Sequence, residues 1–142
     1  MPLTITTYKS AGESETRKLG EELAGGLEVG SVVSLSGELG AGKTVFIRGI
    51  CNCLCPGVSI SSPSFTLINT YPGRLCDIYH IDLYRLYSIG EIEELGIEEL
   101  IYGDCIALIE WGEKIENLLP SDTIKVDIRI MGENTREIRV RR

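Results

Sequence analysis

The sequence predicts an α/β fold on three observations. A glycine-rich stretch at 37–44 separates a β-rich segment from one with helical periodicity. Apolar segments of strand length alternate with helical ones along the chain. The composition, 43% hydrophobic and 25% charged with 16 glycines, is that of an ordinary globular chain. No linker, repeat or low-complexity tract divides the 142 residues, so residues 1–142 are expected to form one domain. A chain of this length can bury roughly two thirds of the surface it exposes when unfolded.

Residues 3–8, Leu-Thr-Ile-Thr-Thr-Tyr, are β-branched and weakly alternating, which reads as a first strand. Ser10-Ala11-Gly12-Glu13 has the form of a capping box opening a helix to about Leu27, with Leu19, Leu23 and Leu27 on one face. The box accounts for Glu13 without a ligand; nucleotide contact is the alternative. Gly30 closes the turn into a short strand, Ser31 to Ser36.

Next comes Gly37-Glu38-Leu39-Gly40-Ala41-Gly42-Lys43-Thr44, which fits the P-loop pattern in its strand–loop–helix context. Gly37, Gly40 and Gly42 free the backbone to curl its N–H groups around phosphate oxygens, with a helix N-terminus behind them. In that motif Lys43 reaches the β/γ-phosphates and Thr44 ligates Mg²⁺, so a nucleoside triphosphate is the expected ligand. Phe46, Ile47, Ile50, Cys51 and Leu54 recur at helical spacing behind it.

Pro56-Gly57 ends that helix, and residues 58–66 run on extended and rich in hydroxyls, either as a γ-phosphate-sensing switch or as a polar connection. Residues 66–71 and 75–82 read as strands joined across Pro72-Gly73-Arg74. Two apolar strands end in a carboxylate, one at Asp82 and one at Glu110. Either could be the acid that holds Mg²⁺, leaving the other to orient or deprotonate water. His80 reads as a residue that packs or bonds locally, and Trp111 as a packing residue near the site.

Between those strands, residues 89–101 read as an acidic helical segment broken near Gly96, either a solvated face or a docking surface for a basic protein. After Pro120, residues 123–131 and 135–140 form a hairpin across Gly132-Glu133-Asn134 that could lengthen the sheet's edge. The arginines from Arg129 to Arg142 read as a solvated face and tail.

Charge and cysteines bound the function. The formal net charge is −7, from 21 acidic and 14 basic residues, which argues against direct binding of nucleic acid. Five cysteines are an odd number, and Cys51, Cys53 and Cys55 lack the spacing of a metal or redox pair, so they read as reduced thiols. No run approaches the ~20 apolar residues of a membrane span, and the N-terminus has no basic region followed by an apolar one. The expected location is the cytoplasm, with no membrane partner.

The set of motifs resembles the bacterial TsaE family, formerly YjeE, small P-loop ATPases of tRNA threonylcarbamoyladenosine biosynthesis. The resemblance rests on the P-loop at 37–44, Ser-Pro-Ser-Phe-Thr at 62–66, Tyr-His-Ile-Asp-Leu-Tyr-Arg at 79–85, Glu-Glu-Leu-Gly-Ile-Glu-Glu at 93–99 and Ile-Glu-Trp at 109–111. It implies a three-layer P-loop NTPase fold with a mostly parallel central sheet extended by antiparallel hairpin strands. It implies an ATP and Mg²⁺ site that uses Lys43 and Thr44, with Glu110 as the metal-side acid and Asp82 near the γ-phosphate, or the two reversed. Residues 62–66, with Thr66, look like a switch, and the regions around Glu13 and Arg136 lie near the nucleotide. Ser64 stands where the family has Thr, and Gly112 where it has Pro. The implied role is an ATPase whose hydrolysis resets a complex with the TsaD and TsaB proteins, tRNA being reached only through those partners. A docking module with incidental hydrolysis and a small-molecule phosphotransferase are the alternatives.

Overall fold

The computed structural model describes residues 3–63 and 65–142. Seven strands form one sheet: β1 (Ile5–Ser10), β2 (Val32–Ser36), β3 (Ile68–Pro72), β4 (Asp77–Asp82), β5 (Ile106–Glu110), β6 (Ile124–Ile130) and β7 (Arg136–Arg141). Their order is β1-β7-β6-β2-β5-β4-β3. The central four, β6, β2, β5 and β4, run parallel, whereas β3 and the β7–β1 pair are antiparallel additions at the two sides. Helices α1 (Glu13–Ala24), α2 (Lys43–Leu54), α3 (Ile89–Glu94) and α4 (Ile97–Ile101) and a 3₁₀ segment, Gly112–Leu118, complete the chain.

The sheet is buried on both faces, which is why β5 reads as an apolar run up to Glu110. On one face Leu23, Phe46, Ile47, Ile50 and Leu54 of α1 and α2 meet Val33, Leu35, Ile106 and Leu108. On the other, Ile92, Ile97, Ile101 and Ile115 cover Val32, Ile81, Ala107 and Ile109. The register pairs Leu35 with Glu110 and Glu110 with Asp82, so the carboxyl ends of β2, β5 and β4 lie level. The P-loop leaves β2 at that edge, where parallel sheets form their crevices.

Glycine sets how closely the two helices on the first face approach. A Cβ at Gly20 would lie 2.2 Å from the Phe46 carbonyl oxygen, and one at Gly49 would lie 1.9 Å from that of Arg17. The α1–α2 contact is therefore backbone on backbone. Intrinsic helix propensity favours Ala over Gly by about 1 kcal/mol. Overpacking costs about 1–3 kcal/mol, and here the obstacle is backbone, which has no rotamer to yield. Gly49→Ala is accordingly expected to destabilise the fold in urea unfolding. Gly25→Ala, at φ −62 with its nearest obstacle at 3.5 Å, should leave it unchanged or raise it.

Several sequence expectations are corrected. The helix after β1 ends at Ala24, not Leu27, and its N-cap is Gly12 with no side-chain cap. Ser10 instead donates its hydroxyl to the Gly12 carbonyl and pairs with the Thr16 hydroxyl at 2.7 Å, while Glu15, not Glu13, accepts from the Ala11 amide at 2.6 Å. A serine cap operates at α3, where Ser88 accepts from the Glu91 amide at 3.2 Å. The break near Gly96 is present, with Gly96 at φ +72 between α3 and α4. The C-terminal hairpin does extend the sheet, β6 pairing with β2, but it is not outermost, because β1 lies outside β7. Among the described residues no helix is long and apolar enough to cross a membrane.

Candidate functional site

A cleft of about 460 Å³ opens at the carboxyl edge of the sheet. Its floor is the P-loop from Leu39 to Thr44; one wall is Gly12, Glu13 and Thr16 at the start of α1, the other Glu133, Asn134 and Arg136 of the β6–β7 hairpin. Asp82, Tyr84, Glu110, Trp111 and Ser62 close the end.

The loop's shape follows from its glycines. Gly37, Gly40 and Gly42 all have positive φ, and a Cβ on Gly37 would also lie 2.5 Å from the Ile128 carbonyl oxygen. Gly42 is the N-cap of α2, so the first-turn amides that follow it have no acceptor within the helix. They and the positive end of the helix dipole converge on the cleft floor, an arrangement suited to phosphate oxygens.

Lys43 is 4% exposed, and its ammonium donates to the carbonyls of Gly37 at 2.5 Å and Glu38 at 2.9 Å. The same ammonium lies 4.1 Å from the centre of the Trp111 ring. Burial lowers its pKa, partly offset by the charges of Glu110, Glu113, Asp82 and Glu38. Thr44 donates its hydroxyl to both carboxylate oxygens of Glu110, at 3.0 and 3.1 Å. Glu110 in turn is 2.6 Å from Nε2 of His80, which is wholly buried. Asp82 is buried and accepts the Tyr84 amide at 2.9 Å. Burial raises its pKa first, and Glu110 adds to the rise; the Tyr84 amide, His80 and Lys43 act in the other direction.

Two further basic residues hold the frame of the cleft rather than its floor. Arg136 donates to the carbonyls of Ala41 at 2.9 Å and Gly40 at 3.3 Å, and to three carbonyls of its own hairpin, tying β7 to the P-loop. It is thus not part of a solvated arginine face. Lys114 places all three of its donors, at 2.9 Å each, on the carbonyls of Leu83, Tyr84 and Leu86, fixing the chain that follows Asp82. Trp111 has φ 63, unusual for a bulky residue, and that backbone turn sets its ring against Lys43 and 5.1 Å from Tyr84.

Of the residues singled out in the sequence, the structure brings Glu13, Leu39, Gly40, Ala41, Gly42, Lys43, Thr44, Asp82, Glu110 and Arg136 to one cleft. Gly37 and Glu38 adjoin it through the Lys43 ammonium. Thr66 is not brought there: it is exposed and donates its hydroxyl to Asn69 at 2.8 Å. Ser64 lies outside the described residues. Gly12, Thr16, Tyr84, Glu133 and Asn134 line the cleft without having been singled out as site residues; only their closeness in sequence to Glu13, Asp82 and Arg136 hinted at it.

Among the described residues no cluster of three or more His, Cys, Asp or Glu side chains is arranged to hold a metal. Mg²⁺ in nucleotide sites is held by one or two protein oxygens together with phosphates and water, and the adjacent Thr44 hydroxyl and Glu110 carboxylate are a donor set of that hard-oxygen kind. The cysteines form no such site: Cys51 on α2 and Cys55 at its C-cap are buried, and burial pushes the Cys51 thiol far above its ordinary range.

The profile of the family described as "Threonylcarbamoyl adenosine biosynthesis protein TsaE" matches residues 10–138. The chain is 40% identical over 131 residues to the tRNA threonylcarbamoyladenosine biosynthesis protein TsaE of Treponema pallidum, covering 92% of this chain and 96% of that one. Against the protein of the same description from Bacillus subtilis it is 34% identical, covering 92% and 82%. The crystal structure of Bacillus subtilis YdiB superposes with a TM-score of 0.81 at 30% identity, over 99% of this chain and 87% of that one.

Proposed function

The chain belongs to the TsaE family of tRNA threonylcarbamoyladenosine biosynthesis, and from that premise we propose that it is the ATP-binding and ATP-hydrolysing subunit of the complex that installs threonylcarbamoyl on adenosine next to the anticodon. The observation that carries this reading is the P-loop hydroxyl of Thr44 lying against both oxygens of Glu110 at the end of a parallel strand. A phosphate-binding loop alone needs no such pair, but a loop that handles Mg²⁺-ATP does.

In this reading the first-turn amides of α2 and the Lys43 ammonium bind the β- and γ-phosphates, and Thr44 and Glu110 hold Mg²⁺. When bound, Mg²⁺ supplies charge neutralisation at the phosphate oxygens. Asp82 places the attacking water and takes its proton, a task that suits a carboxylate whose proton affinity is raised by burial. Glu13 and the hairpin at Glu133, Asn134 and Arg136 flank the nucleotide. Hydrolysis resets the complex with the TsaD and TsaB proteins, in the cytoplasm. A chain at −7 meets tRNA through those partners rather than by its own field.

The test is ADP release from Mg²⁺-ATP by the purified chain, alone and with a TsaB–TsaD pair added. Slow release alone and strong stimulation by the pair are expected. Equal rates in both conditions would remove the partner-coupled ATPase reading.

A further inference from the structure

His80 is a buried side chain near the cleft whose chemistry the phosphate and water roles leave unused. It is fully buried in β4, opposite Leu108 of β5 on one side and Asn69 of β3 on the other. An apolar side chain would serve packing there without burying a polar atom. The imidazole instead carries an unpaired buried nitrogen: Nδ1 has no hydrogen-bond partner among the described residues. Such a group destabilises the fold unless the other nitrogen gives something in return. That nitrogen, Nε2, is 2.6 Å from Oε2 of Glu110. An ionised carboxylate only accepts, so a hydrogen bond to it at this distance requires the proton on Nε2.

Glu110 has two donors among its recorded bonds, Thr44 and His80. Thr44 is itself a ligand of the cation in the reading above, so His80 is the donor to Glu110 that lies outside the ligand set. We propose that His80 is a positioning residue: its Nε2–H fixes the Glu110 carboxylate and thereby strengthens Mg²⁺ binding, although His80 does not line the cleft. Hydrogen bonds that orient a ligating carboxylate are worth about 10–100-fold in metal affinity, which sets the expected size. The inference rests on the Mg²⁺-ATP reading of the cleft.

Two features make the test clean. His80 is the only histidine and Trp111 the only tryptophan in the chain, so ring-nitrogen resonances and indole fluorescence are each unambiguous. In the intact chain, ¹⁵N spectra of the ring should find a proton on Nε2; a ring protonated on Nδ1 alone overturns the proposal. His80→Gln retains a terminal N–H donor, whereas His80→Met, of similar length, does not, and His80→Leu provides a second donor-free variant should the Met one fail to fold. With ATP bound, Mg²⁺ is titrated and Trp111 fluorescence read. The donor-free variant should need about 10–100-fold more Mg²⁺ for half the change, and the Gln variant should stay within about threefold of the parent. Nucleotide affinity in chelator should be alike in all. A donor-free variant with the parent's Mg²⁺ midpoint, or Gln and donor-free variants equally impaired, overturns the role of His80 alone. A parent chain with no Mg²⁺-dependent response overturns the ATP reading and this inference with it.

Discussion

Lys43→Ala is expected to abolish ATP turnover, with a loss of at least about 10²–10³-fold, the size that follows removal of one preorganised donor from a developing charge. Among the described residues the cleft has no cation free to take its place. Arg136 is the other basic residue along it, and its guanidinium is spread over five backbone carbonyls. Lys114 is spread over three, 5.8 Å from the Trp111 ring. Neither can reach the position of the Lys43 ammonium without giving up those bonds. The fold should survive, because Lys43 gains little from its burial: desolvation is the largest influence on its pKa and works against the charged form. Steady-state ADP release and thermal unfolding of the variant, measured together, check both halves. A variant that folds and hydrolyses at the parental rate would sink the mechanism.

The contrast between Lys43 and Arg136 marks how far the sequence could be read. Lys43, Thr44 and the glycines carry their meaning in local spacing, because one strand–loop–helix unit makes the phosphate cradle. Asp82 and Glu110 were also legible as strand-end carboxylates, since parallel strands bring their carboxyl ends to one edge. Which acid meets Thr44 was not legible: it depends on β5 lying next to β2 with β4 one place further out. By its own pattern Arg136 appeared on a strand of alternating arginines as solvated surface, and only the family resemblance put its region near the nucleotide. Its bonds to Ala41 and Gly40 arise from the pairing of β6 with β2, which carries the hairpin back to the P-loop.

Local signals also misled. Ser10 to Glu13 and Ser88 to Glu91 have the same serine-to-glutamate spacing, yet only Ser88 caps a helix. Ser10 lies in β1, and its hydroxyl is occupied by Thr16 and the Gly12 carbonyl. That leaves Glu13 free of a cap and on the cleft wall. Gly20 and Gly49 carried no signal at all within helices of otherwise ordinary pattern. Their reason is the other helix's backbone, which no propensity describes and only the packed structure supplies.

Asp82→Asn is expected to move activity and stability in opposite directions. Asparagine retains the shape and an acceptor for the Tyr84 amide but cannot take a proton, so turnover should fall by about 10²–10⁴-fold, the range for losing a general base. Stability of the nucleotide-free, Mg²⁺-free chain should rise at neutral pH, because the charge removed is a buried one beside Glu110. The sign follows from proton uptake. Folded Asp82 holds its proton more tightly than the unfolded value of 3.8, so the native state binds more protons between 3.8 and the raised value. The parent therefore loses stability as pH rises through that window, and the loss is complete above it. The advantage of the Asn variant should be full above the raised value, shrink as pH falls through it and vanish below 3.8. Urea midpoints of both chains across the acid range measure this directly. An Asn variant that is inactive and less stable than the parent at neutral pH would mean that Asp82 holds the fold through its charge, and the division between a costly carboxylate and the step it serves would have to be abandoned.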